Sequence, residues 1–299
     1  MKNNTIAVPW KVSLHGGHSY PFCDHAKNHL EEILDAAVDQ GYRIFGVTEH
    51  APRMESKYLY DEEVEMGWTV DTLNALFSAY ARTLDMFQKQ YANRLEVLKG
   101  FEIEVCPPGR YKEIMLSYQQ QLNFDYIVGS VHYIDDLIFD YKPEYVQQIL
   151  KRYGSYENIA LRYYETLAEM VPQLHPDVIG HFDLIRCIFP QSENPHSPRI
   201  IEAASHALEV IRSYDCILDV NTSGIRKALG GPYPSSTLLG LAQDMGIPFC
   251  FGDDSHAVAH VGAGIEEARL FLLKAGVDTI TCLSREKEEL IRLQIPLCD

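Results

Sequence analysis

Seven short apolar runs punctuate the chain: KVSLH (11–15), YRIFGVTEH (42–50), LEVLKGFEIE (95–104), DYIVGSVHY (125–133), DVIGHFD (177–183), CILDVNTSG (216–224) and IPFCFGDDSH (247–256). Most are nearly continuous rather than alternating, the pattern of strands buried on both faces in a parallel sheet. Between them, apolar residues recur at helical spacing. In HLEEILDAAVDQ, for instance, Leu30, Ile33, Leu34, Ala37 and Val38 share one face. Further amphipathic helices are predicted in VDTLNALFSAYARTLDMFQKQYANR, YENIALRYYETLAEMV, PRIIEAASHALEVIRSY and STLLGLAQDMG. Ser197 reads as an N-cap with Pro198 at the first helical position, and Gly246 as a C-terminal stop. Two last helical stretches are expected near 264–275 and 284–293, and residues 52–70 read as a loop insertion leading into the long helix.

Strands alternating with crossover helices give a parallel sheet. About seven such units in 299 residues fit a closed TIM-like barrel better than an open doubly wound sheet. No linker, repeat or low-complexity tract interrupts the pattern, so one domain over 1–299 is expected.

Composition narrows the function. A formal net charge of −16 disfavours a nucleic-acid partner, which calls for a basic footprint. No run reaches the length of a membrane span, and the N-terminus shows no secretory h-region. A cytoplasmic enzyme without a membrane partner is the expectation. The seven cysteines are scattered and never spaced C-x-x-C, which argues against a zinc ribbon or a disulfide framework.

The polar residues cluster where the strands end. His15, His18 and His25 follow the first run, Glu49 and His50 end the second, and Glu102 and Glu104 the third. His132 ends the fourth, His181 and Asp183 the fifth, Asp219 and Asn221 the sixth, and Asp253, Asp254 and His256 the seventh. In a parallel barrel all these ends open on one face, where active sites sit. The remaining histidines, His29, His175, His196, His206 and His260, read as structural or surface residues. Imidazoles and carboxylates suit zinc, manganese or iron. There are too many ligands for one ion, and about the right number for two or three sharing a bridging carboxylate. Such clusters polarise a phosphoryl oxygen and generate hydroxide near neutral pH, the chemistry that phosphate-ester hydrolysis needs. No Ser–His–Asp arrangement is readable, so Thr222 and Ser223 are taken as turn residues.

The motifs HGGHS…FCDHA, VTEHAP, GFEIE, GSVHY, IGHFDL, LDVNTSGIR and FGDDSH, in that order from residue 15 to 256, resemble those of the polymerase-and-histidinol-phosphatase (PHP) phosphoesterases. Within that family the chain is most similar to the bacterial histidinol-phosphatases. The resemblance implies a distorted (β/α)7 TIM-like barrel with three metal ions at the C-terminal face of the strands. By resemblance, His15, His18, Glu102 and Asp254 hold the first ion. Glu102, His132 and His181 hold the second, with Glu102 bridging, and His25, His50 and His256 the third. Glu102, Asp254 and His256 are the expected catalytic residues. The family usually opens with two histidines separated by one residue, whereas here two glycines separate them. His15 therefore reaches a metal only if the strand end bulges, which Gly16 and Gly17 would permit.

The implied reaction is hydrolysis of a small phosphate monoester by a metal-bridging hydroxide, with L-histidinol phosphate, of histidine biosynthesis, as the expected substrate. A nucleotide or other small ester is the alternative substrate, and a non-catalytic metal-binding protein the alternative class. Phosphate recognition calls for arginine. Arg226, placed by the resemblance in a phosphate-binding motif, Arg186 and Arg53 all follow strand ends. Asn221 is expected to order its loop or touch substrate. Cys23 reads as a buried thiol beneath the first loop, and Glu49 and Asp253 as carboxylates that orient histidine rings. The acidic, aromatic loop 52–70 suits the amine and imidazole of histidinol.

Overall fold

The structure, a computed structural model, describes residues 8–287 and 289–298. The strands are β1 (Val12–Ser13), β2 (His15–Gly17), β3 (Ile44–His50), β4 (Glu96–Glu102), β5 (Tyr126–Gly129), β6 (Tyr133–Ile134), β7 (Leu137–Ile138), β8 (Val178–Ile179), β9 (Ile217–Asn221), β10 (Phe249–Ser255), β11 (Thr279–Glu286) and β12 (Glu289–Pro296). Eight of them form one parallel sheet in the order β1-β3-β4-β5-β8-β9-β10-β2. β1 and β2 are two halves of one run, parted at Leu14. β1 pairs with β3 and β2 with β10, so the split strand closes the sheet into a distorted barrel with seven strand positions.

The strands are buried on both faces because helices cover the outside and side chains fill the inside. The Tyr126 hydroxyl reaches across the interior to donate to the Leu14 carbonyl (2.6 Å). Gly46 and Gly100 make room for it, since a Cβ at Gly100 would lie 2.5 Å from the tyrosine ring. This packing leaves the polar residues at the strand ends as the upper boundary of the core.

The expected helices form at Leu30–Asp39, Val70–Tyr91, Tyr156–Leu174, Pro198–Ser213, Ser236–Asp244 and Ile265–Lys274. Ser197 caps its helix by accepting from the Ile200 amide (3.4 Å). Gly246 follows the helix it was expected to stop, at φ 74°. Three further helices were not expected, Tyr111–Leu122, Pro143–Tyr153 and the single turn Ser223–Arg226, which begins at the serine taken for a turn residue. The expected loop at 52–70 includes a short helix, Asp61–Glu65.

The stretch 284–293 is not helical. It belongs to the antiparallel hairpin β11–β12, with Ile280 opposite Ile295 and Cys282 opposite Leu293. The Glu- and Leu-rich EELIRL favours helix locally, but pairing with the β-branched TITCLS and packing under β4 and β10 override that propensity.

Candidate metal centre

β3, β4 and β10 present His50, Glu102 and Asp254 at their C-terminal ends, all on one face of the barrel. Glu102 is the hub. Its Oε1 lies 2.9 Å from His181 Nε2, 3.4 Å from His15 Nε2 and 3.5 Å from His132 Nε2. Its Oε2 lies 3.0 Å from His50 Nδ1 and 3.6 Å from His18 Nε2. Asp254 Oδ1 stands 3.5 Å from His18 Nε2 and 3.8 Å from His256 Nδ1. The His18 ring stacks against those of both His50 (4.1 Å) and His256 (4.3 Å). His25 stacks on His256 at 4.7 Å and is the most exposed of the set, at the rim.

The two glycines lie opposite a register slip on the neighbouring strand. Gly252 pairs with His15 and Ser255 with Gly17, so Asp253 and Asp254 together oppose Gly16. The bulge therefore sits on β10, opposite Gly16, rather than on the strand that carries the histidines. Asp254 absorbs it in a left-handed conformation (φ 49°). Both His15 and His18 reach the cluster.

Residues behind the cluster fix its geometry. Asp219 accepts from His15 Nδ1 (2.9 Å) and from the His181 amide (2.5 Å). Glu49, expected to orient a histidine ring, accepts instead from the Ser19 amide and hydroxyl, and its other oxygen stands 3.6 Å from His18 Nδ1 with no hydrogen bond between them. Glu104, fully buried, lies 3.4 Å from His132 Nδ1 and 3.7 Å from His50 Nδ1. Glu104 and Asp219 both stood at strand ends in the sequence, but the resemblance gave neither a role. His260, read as structural, supports the site by accepting from the His256 amide (3.2 Å). Cys23 is buried as expected, with Sγ 3.4 Å from His25 Nδ1.

Many of these buried atoms have no hydrogen-bond partner: both ring nitrogens of His18, His15 Nε2, His50 Nδ1, Glu102 Oε2 and both carboxylate oxygens of Glu104. An orphaned buried polar atom costs about 1–3 kcal/mol. A concentration of nitrogen and carboxylate donors in that state fits bound cations. Their ligand atoms fall within 4.8 Å of one another in several groups, among them His15 with His18 and Asp254, His15 with Glu102 and His181, and His18 with His50 and His256. The last places His18 where the resemblance implied His25, which groups instead with Cys23 and His256.

Without cations the histidines and carboxylates hold one another's charge. Burial opposes protonation of His15, but Glu102 and Asp219 keep it well above the imidazole range. Burial is outweighed likewise at His18, which Asp254 and Glu49 pull up to about 10, and at His132, which Glu104 and Glu102 raise to about 10. His50 and His256 lie well below the usual range, through burial and then the His18 charge. Glu102 is held well below the carboxylate range by His15, His132 and His50 despite its burial.

A cavity of about 390 Å³ opens over the cluster, lined by His50, Glu102, His132, His181, Asp254 and His256 on one side. None of the expected arginines lines it. Arg226 donates to Thr222 Oγ1 (2.8 Å) and to the carbonyls of Asp253 (2.6 Å) and Asp254 (2.9 Å), bracing the register slip. Arg186 pairs with Asp183 (2.7 Å) and the Pro232 carbonyl (3.0 Å). Arg53 is buried against Glu63, its guanidinium 4.0 Å from the Tyr60 ring centre. The cation in the cavity wall is Lys227. It follows Arg226 by one residue, and the roughly 100° step of a helical turn sends the two side chains different ways. Asn221 is fully buried among Asp219 and Ser223, so it orders the loop and does not face the cavity. Asp253 accepts from the Tyr42 hydroxyl (2.7 Å) and the Gly262 amide (3.2 Å), not from a histidine ring as expected.

The model of the PHP domain matches residues 15–223, more than half of the chain. The chain belongs to the PHP domain family. Among PHP relatives, a Schizosaccharomyces pombe protein named "Probable histidinol-phosphatase" is 32% identical over 92% of this chain and 90% of its own. The Saccharomyces cerevisiae histidinol-phosphatase is 28% identical over 87% of each. The Lactococcus lactis histidinol phosphate phosphatase, solved with zinc, L-histidinol and phosphate, shares the fold at a TM-score of 0.72. Its identity is 19%, over 94% of this chain and 99% of that one.

Proposed function

We propose that this PHP protein is a metal-dependent phosphomonoesterase that hydrolyses L-histidinol phosphate to L-histidinol and phosphate. The carrying observation is the Glu102 hub, on which five histidines converge beneath an open cavity with several of their buried nitrogens and oxygens left unpaired. Curated relatives matched over most of the chain carry the histidinol-phosphatase name, which supports the substrate.

His15, His18, His25, His50, Glu102, His132, His181, Asp254 and His256 are the proposed metal-holding set, with Glu102 bridging. Three ions, of zinc, manganese or iron, match the number of donors. Bound metal supplies Lewis acidity toward phosphoryl oxygens and a nucleophile at neutral pH. The chain's own residues do the rest. Asp219 fixes the His15 ring, so that donor is held before substrate arrives. Lys227, which lines the same cavity, is the cation available to the phosphoryl oxygens. Arg226 holds the β10 backbone on which Asp254 depends, so it acts on phosphate binding through position.

The test is phosphate release from L-histidinol phosphate by chelator-free protein, beside a chelator-stripped sample and a panel of nucleotide esters. Turnover that is lost on stripping and restored by divalent metal is expected. Turnover on nucleotides alone would overturn the substrate. Bound metal with no turnover on any ester would overturn the enzyme reading.

A further inference from the structure

Besides the residues of the cluster, the cavity is lined by Tyr60, Tyr141, Ile138, Leu184 and Asp140. The carboxylates around it differ in how they are engaged. Glu102 and Asp254 belong to the cluster. Asp24 is held by His25 at 3.0 Å. Glu62 takes the Tyr141 hydroxyl and lies 3.2 Å from Lys142 Nζ. Asp140 alone among them has no hydrogen bond or ion pair among the described residues, and it is not paired with Lys227 although both line the same cavity. Its place is fixed by the hairpin β6–β7, after which the Phe139 amide donates to the His132 carbonyl (3.1 Å). That bond holds Asp140 beside a residue of the cluster.

Tyr60 supplies a second, independent feature. Its side chain is only 8% exposed, yet it lines the cavity and its hydroxyl makes no hydrogen bond among the described residues. Its ring is clamped, with the Arg53 guanidinium at 4.0 Å and Tyr141 stacked at 5.1 Å and 23°. With both neighbours in place, the ring presents a fixed hydroxyl rather than an open face. A site built to hydrogen-bond a group discriminates strongly against ligands lacking it, because its buried polar atoms are then left unpaired.

We infer that Asp140 and Tyr60 form the leaving-group subsite. Asp140 receives a protonated amine, and the Tyr60 hydroxyl a ring nitrogen, of the alcohol being released. The subsite thus selects aminoalkyl phosphates over esters of uncharged alcohols. Arg53 contributes as a positioning residue under Tyr60. The inference rests on the phosphomonoesterase reading and adds what sets its selectivity.

The test uses the metal-loaded full chain and its Asp140→Asn, Asp140→Glu and Tyr60→Phe variants. Each is assayed on L-histidinol phosphate and on phenyl phosphate, whose alcohol carries no amine. L-Histidinol inhibition of phenyl phosphate hydrolysis gives a product-binding readout. For Asp140→Asn, the ratio of kcat/KM between the two esters should fall at least tenfold, mainly through KM for histidinol phosphate. The inhibition constant of L-histidinol should rise by a similar factor. Tyr60→Phe should shift both in the same direction by a smaller factor, and Asp140→Glu should restore part of the preference. An unchanged ratio and inhibition constant in Asp140→Asn, at unchanged metal content, would overturn the subsite. A wild-type enzyme that cleaves phenyl phosphate but not histidinol phosphate would overturn the proposed substrate instead. The subsite is then judged on phosphoethanolamine against phenyl phosphate, where an unchanged ratio in Asp140→Asn overturns it as well.

Discussion

Gly17→Ala tests whether the closing strand builds the metal centre. Gly17 pairs with Ser255 just past the register slip, and its φ of +139° is one that a side-chain-bearing residue rarely adopts. A Cβ there would meet the Ser255 backbone, 2.5 Å from its nitrogen. Reaching ordinary contact requires the two strands to part by roughly 1 Å, and both contact partners are backbone, so no side chain can swing aside. The dihedral strain costs about 1–3 kcal/mol. Overpacking adds about 1–3 kcal/mol. Taking the middle of the two, near 4 kcal/mol, the melting temperature should fall by roughly 8–16 °C, scaled at about 2–4 °C per kcal/mol for a large domain. The displacement runs through the backbone between His15 and His18 on one strand and through Asp254 on the other. Metal content should therefore drop alongside stability. The assay is thermal unfolding of metal-loaded and stripped protein, with metal quantified after desalting. A variant with wild-type melting temperature and full metal content would refute the reasoning, because the tight approach at residue 17 would then be dispensable.

Asp219→Ala leaves the His15 ring and the His181 amide without their shared acceptor. It should weaken binding of one ion about 10–100-fold, read by chelator competition. Lys227→Met should raise KM for phosphate esters about tenfold or more, the scale of one lost charge-assisted contact, with smaller change in kcat. His18 and His132, each raised to about 10 by neighbouring carboxylates after burial has opposed it, carry protons at pH 7 that a metal must displace. Loading should release protons into weakly buffered solution, and affinity should rise about tenfold per pH unit for each proton displaced. A pH-independent affinity between pH 7 and 9 would contradict this.

What the sequence disclosed follows from which interactions are local. The strand runs were legible because continuous burial leaves continuous apolar stretches, and their ends because a parallel barrel collects them on one face. The histidines of the cluster were legible for the same reason, each marked by its place after a run. The helices Tyr111–Leu122 and Pro143–Tyr153 escaped because their apolar faces are narrow, the first burying only Tyr111, Ile114 and Met115 and the second Ile149. The hairpin at 279–296 escaped because its partner strand, not its own composition, decides its state.

The site residues diverged from expectation where direction matters more than position. Arg226 and Lys227 are neighbours in sequence, and both follow a strand end. Residue type favours the arginine for phosphate, since its planar fork matches the oxygens. But the same fork matches two adjacent carbonyls, and the slip at Asp253–Asp254 exposes such a pair just where Arg226 reaches. The slip leaves both carbonyls free, Arg226 is held by them, and the cavity wall is left to Lys227. The two neighbours should then fail differently. Arg226→Met should loosen β10 around Asp254 and lower metal content, whereas Lys227→Met should raise KM at unchanged metal content. Equal metal content in the two variants, measured after desalting, would refute the assignment.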